Sequence, residues 1–160
     1  MSIRRLGGGL ALLAGVIAFA ASTQAQAPKG LLGTWKLNVA KSTFSPGPPP
    51  TSMTITYSMV GTDGMKIAVD VAPADGAAQH WEMTAHYDGK DYPVNGNPAA
   101  DMISLKKVDD LTGESTFKKD GKISATNVRK ISADGKTLTI TSTGTTADGK
   151  PRKDVQVFEK

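Results

Sequence analysis

Asp-Gly dipeptides punctuate the chain at Asp63-Gly64, Asp75-Gly76, Asp88-Gly89, Asp120-Gly121, Asp134-Gly135 and Asp148-Gly149, with Asn95-Gly96 between them. A glycine after Asp or Asn supplies the positive φ of a tight hairpin turn. Where the spacing is regular it is 12 to 14 residues, which leaves room for strands of about 7 to 9 residues between turns. Short, evenly punctuated strands build an antiparallel sandwich or barrel.

The segments between the turns alternate as half-buried strands do. Met53, Ile55, Tyr57 and Met59 alternate with Thr54, Thr56 and Ser58; Met65, Ile67, Val69 and Val71 follow. Trp81, Met83, Ala85 and Tyr87 share the inward face of 79–87. Further strands are expected at 32–38, 101–107, 114–119, 122–131, 137–143 and 153–159, nine or so in all. No dozen-residue window after residue 25 keeps a helical apolar period, so no long helix is expected.

Residues 1–25 stand apart. Arg4 and Arg5 precede a small, apolar run from Leu6 to Ala21, and Thr23-Gln24-Ala25 offers a cleavage site. This is the order of a secretory signal, and the run is shorter than a membrane span requires. The expectation is removal after Ala25, a mature chain starting near Gln26, and a periplasmic or secreted location. One domain, 26–160, then remains, long enough to bury a single core. Without Arg4 and Arg5, 17 basic residues of the 19 face 15 acidic ones, so the net charge falls from +4 to +2. That bias is too small to indicate nucleic acid. Cysteine is absent, which removes disulfides and thiolate metal sites.

Repeated Asp-Gly-Lys at 88–90, 120–122, 134–136 and 148–150 lacks the alternating carboxylates of a calcium loop, so these are read as hairpin turns. Pro46-Gly47-Pro48-Pro49-Pro50 reads as a stiff strap between two strands, with partner docking as the alternative.

Leu32-Gly33-Thr34-Trp35-Lys36-Leu37 resembles the Gly-x-Trp opening of lipocalins and the start of intracellular fatty-acid-binding proteins, and Val157-Phe158-Glu159-Lys160 resembles the last strand of the latter. The run from Gly33 to Lys160, with Tyr87-Asp88-Gly89-Lys90-Asp91-Tyr92-Pro93-Val94 and Asn95-Gly96-Asn97-Pro98, is similar to a group of exported bacterial lipocalin-like (calycin) proteins. The resemblance implies an all-β, antiparallel up-and-down barrel of about 8–10 strands, with Gly33 and Trp35 at its closed end. Residues 38–52 depart from fatty-acid-binding proteins, because the prolines there cannot build their pair of lid helices. Gln156 and Phe158 stand where that family places an arginine and a tyrosine for the ligand carboxylate. An uncharged or weakly polar hydrophobic ligand is therefore expected in preference to a simple fatty acid.

Candidate interior residues are Tyr57, Met83, Tyr87, Asn127, Arg129, Gln156 and Phe158. Arg129 shares its parity with Ile123, Ala125 and Ile131, so its charge is expected to face inward and to need a partner. Two readings stand: a clasp over Trp35, which the lipocalin resemblance suggests, or a contact to a ligand headgroup. His80 and His86 lie about 20 Å apart on one strand and share parity with Glu82 and Thr84, so they are expected to face solvent and not to bind one metal. No metal, cofactor or catalytic residue is indicated, and no nucleophile motif occurs. Lys106, Lys107, Lys118 and Lys119 fall on two neighbouring strands, either as an anionic-partner face or as a solvated edge. The leading expectation is a cell-envelope or secreted protein that binds a hydrophobic or amphipathic small molecule. The alternatives are a filled barrel serving as a structural or interaction module and, behind it, an envelope enzyme.

Overall fold

The computed structural model describes residues 26–146 and 148–160; the expected signal segment 1–25 lies outside them. The strands are β1 (Gly33–Leu37), β2 (Ser52–Val60), β3 (Gly64–Ala72), β4 (Gln79–His86), β5 (Asp91–Asn95), β6 (Met102–Lys107), β7 (Thr112–Lys119), β8 (Lys122–Ile131), β9 (Thr137–Thr145) and β10 (Pro151–Glu159). Each pairs antiparallel with its sequence neighbour, and β1 closes on β10, giving an up-and-down barrel of ten strands. Closure removes the free edges that a sheet of this size would otherwise expose.

Hairpin chemistry sets this topology. Lys119 pairs with Lys122 across Asp120 and Gly121, at φ 50° and 75°, the two positive values that a two-residue turn of matching twist requires. Between β2 and β3 the positive φ falls on Gly61, at 65°, and not on Gly64, which already belongs to β3. β5 was not expected as a strand. Its Pro93 lacks an N–H and its outer residues are polar, and it pairs at only two positions with β4 and three with β6.

Alternation puts one face of every strand inside. Trp35, Leu31, Met65, Leu105, Ile131, Leu138 and Phe158 pack at one end with at most 1% of their surface exposed, and this is the core that closes the barrel. The Trp35 indole N–H donates to the Leu31 carbonyl at 2.8 Å. Ile123 departs from the expected face and is 66% exposed. The β7–β8 register shifts at Phe117/Lys118, with Phe117 opposite Ala125 but Lys118 opposite Ile123. The extra residue, Ser124, is turned inward by this bulge and Ile123 outward.

No α-helix occurs among the described residues, and no helix is long and apolar enough to cross a membrane. After β1 the chain makes a single 3-10 turn, Val39–Lys41, capped by the Asn38 side chain. It then runs beside β10: Asn38 N–H donates to the Val157 carbonyl, Thr43 and Val155 exchange two bonds at 2.8 Å, and Lys153 N–H donates to the Ser45 carbonyl. The proline strap therefore leaves from a segment hydrogen-bonded to the barrel wall.

The four lysines do not form a free cationic face. Lys118 pairs with Asp91 at 2.6 Å and Lys107 with Asp110 at 2.9 Å, Lys119 approaches Asp101, and Lys106 stands opposite Glu114 in the ladder. His80 is exposed beside Asp70, while His86 is partly buried between Asp63 and the Tyr92 ring. Among the described residues no group of three or more acidic or histidine side chains could hold a metal ion.

Candidate functional site

The interior above the Trp35 core is not filled by side chains. It holds a cavity of about 470 Å³ that opens at the other end of the barrel, within the range of small-molecule sites. The two sides of this cavity differ. β2, β3 and β4 contribute Met53, Ile55, Ile67, Val69, Trp81 and Met83, an apolar wall. β8, β9 and β10 contribute Asn127, Arg129, Ser142, Arg152, Asp154 and Gln156. Register aligns the polar groups in rows: Asn127 opposite Ser142 opposite Asp154, and Arg129 opposite Ile140 opposite Gln156. The mouth is rimmed by Phe44, Pro46, Pro48 and Pro50 of the strap, by Pro73–Asp75 and by Asn97–Ala100.

Arg129 is 4% exposed. Its Nη1 donates to the Ser115 hydroxyl at 3.1 Å, whereas among the described residues no group accepts from Nε or Nη2. Those two atoms form the side-on edge of a guanidinium, where parallel N–H bonds match the two oxygens of a carboxylate. The Asn127 carbonyl oxygen and the Tyr87 hydroxyl are also buried without a protein partner. Burial pushes the Tyr57 hydroxyl up to about 12 and raises that of Tyr87, and the positive charge of Arg129 opposes the rise at both.

Arg152 and Asp154 form a second charged group nearer the mouth. Arg152 Nη2 donates to the Ser142 hydroxyl at 3.3 Å, and its Nε lies 3.6 Å from Asp154 Oδ2. The other carboxylate oxygen accepts the Ser45 N–H at 3.1 Å, which ties the strap to β10. The Asp154 side chain is 5% exposed and that of Arg152 38%.

Of the residues expected inside, Tyr57, Met83, Asn127, Arg129 and Gln156 line the cavity. Tyr87 and Phe158 are buried but do not reach it, being packed in the core below. Gly33, at φ 112°, and Trp35 lie in β1 at the closed end. The cation over the Trp35 ring is the Lys160 ammonium, 4.5 Å from the centroid, not Arg129. Arg129 faces the cavity instead, because its row on β8 lies one alternate position above the Ile131–Leu138–Phe158 layer. Sequence reasoning missed Arg152, Asp154 and Ser142, although Arg152 and Asp154 share the parity of Gln156, which was available as a signal. It also missed Ser115, which completes one side of Arg129.

No protein-family model matches the chain, and no curated protein matches it. Solved structures similar to it include the fluorescent protein UnaG, wild type, at 19% identity over 81% of this chain and 96% of that one, with a TM-score of 0.51. A single-site mutant of UnaG aligns at 19% identity over 82% and 96%, with a TM-score of 0.53. Zebrafish ileal bile acid-binding protein complexed with cholic acid aligns at 14% identity over 82% and 98%, with a TM-score of 0.49. At such identities likeness is one of architecture: this chain is a closed, ten-stranded antiparallel barrel, and its fold resembles that of UnaG.

Proposed function

We propose that the protein binds a small amphipathic molecule, with its apolar body against the β2–β4 wall and a carboxylate on the free edge of Arg129. One observation carries this reading: Arg129 lines a ligand-sized cavity, and two of its buried guanidinium N–H donors, Nε and Nη2, have no acceptor among the described residues. An unpaired buried charge is costly, and a ligand anion offsets that cost on binding. The charged anchor sits on β8 and not at Gln156 and Phe158 of β10, so the preference expected from those two positions, for uncharged ligands, is replaced by one for an acid.

Dodecanoic acid and its methyl ester test the reading, with binding followed by calorimetry and by the emission of Trp81 in the cavity wall. The acid should bind at least about tenfold more tightly, and Arg129→Met should erase the difference. An ester that binds as well as the acid would show the reading to be wrong.

We also propose that the protein acts outside the cytoplasm, on the strength of the signal pattern from Arg4 to Ala25. Terminal sequencing of protein from the native host should find a chain starting near Gln26; an intact Met1 on cytosolic protein would refute it.

A further inference from the structure

We infer that Asp154 determines how many negative charges the cavity admits, holding that number at one and so selecting monocarboxylates over α,ω-dicarboxylates. The inference rests on the reading of Arg129 as the headgroup anchor. Three charged side chains lie on the polar wall: Arg129, Arg152 and Asp154. Among the described residues no carboxylate lies within ion-pair distance of Arg129. Arg152 is held on one side by Ser142 and faces Asp154 Oδ2 on the other. With this pair engaged, the wall carries one uncompensated positive charge.

The geometry makes Arg152 the natural second anchor if Asp154 were neutral. Arg129 pairs with Ile140 and Arg152 with Gly144, four residues further along β9, so the two positions are offset by about 13 Å along the strands and two strand spacings across them, about 16 Å in all. An extended twelve-carbon diacid spans a comparable length, and its second carboxylate would arrive beside Arg152. In the wild type it meets there the carboxylate of Asp154, 5% exposed, a like-charge contact that is unfavourable for so buried an anion. Asp154 also holds the strap through the Ser45 N–H. The charge and the tether are separable, since an asparagine oxygen still accepts that bond.

The experiment compares dodecanoic with dodecanedioic acid by calorimetry on wild type, Asp154→Asn, and Asp154→Asn combined with Arg152→Met. Wild type should prefer the monoacid by about tenfold or more. Asp154→Asn should bind the diacid about tenfold more tightly than wild type does and so narrow or reverse the preference for the monoacid. The double variant should lose that gain, since it removes the guanidinium that receives the second carboxylate. A wild type that binds both acids equally overturns the inference, and this comparison needs no variant to fold. So does a folded Asp154→Asn protein with no gain for the diacid. In either case monoacid binding that depends on Arg129 leaves the headgroup reading standing, whereas a wild type that binds neither acid overturns both.

Discussion

Arg129 donates one hydrogen bond, to Ser115, and at 4% exposure its Nε and Nη2 have no partner among the described residues. The desolvation of such a group exceeds what one serine returns, and replacing it with an apolar chain of similar length is often stabilising. Arg129→Met should therefore raise the melting temperature of the ligand-free protein, by about 1–2 kcal/mol in stability or several degrees. A lower melting temperature would mean that the guanidinium is a structural tie. Trp35 behaves in the opposite way. It is fully buried and satisfies the Leu31 carbonyl, so Trp35→Phe should cost about 2 kcal/mol or more, from lost bulk and an orphaned acceptor, as a chemical denaturation midpoint would record. Alternation along β8 made the inward direction of Arg129 legible in the sequence. Its partner was not legible, because Ser115 is contributed by another strand and Lys160 had already taken the indole face.

β8, β9 and β10 act together as the polar side of the cavity, and their spacing depends on a glycine. A Cβ on Gly144 would collide with the Ser124 carbonyl oxygen and lie 3.1 Å from the Ala125 Cα. Gly144→Ala should force β9 away from β8 beside the bulge, at a cost of about 1–3 kcal/mol, and should weaken binding of dodecanoic acid; a variant with unchanged melting and affinity would contradict this. Most strand positions could be read from the sequence because Asp-Gly pairs mark the turns and alternation fills the intervals between them. β5 escaped because Pro93 argues against a strand, and the barrel supports it with only a few ladder pairs. The strap was recognised as a connector, yet its place on the cavity rim was hidden: Ser45 meets Asp154 across 109 residues of chain, a separation that no local pattern spans.

The whole molecule carries a titration signature in its interior. The Tyr57 hydroxyl, pushed up to about 12 by burial, ionises near its ordinary value of 10.0 once the chain unfolds. Between those values the folded state keeps a proton that the unfolded state has released, so stability is full below pH 10 and falls as pH rises toward 12. Tyr87 shifts in the same direction. The loss from Tyr57 should amount to about 2–3 kcal/mol, measured as denaturation midpoints from pH 9 to 12, and Tyr57→Phe should flatten the profile; an unchanged profile in that variant would exclude Tyr57 as its source. The seam between the two ends of the chain governs how the molecule comes into being. β1 pairs with β10 only through Lys36–Glu159 and Leu37–Phe158, and the strap's approach is stitched to the same last strand. While the ribosome still holds β10, the first strand has no mate on that side and the strap has no wall to lie against. The barrel closes only once β10 has left the ribosome, and until then the nascent chain remains open to whatever handles it along the way.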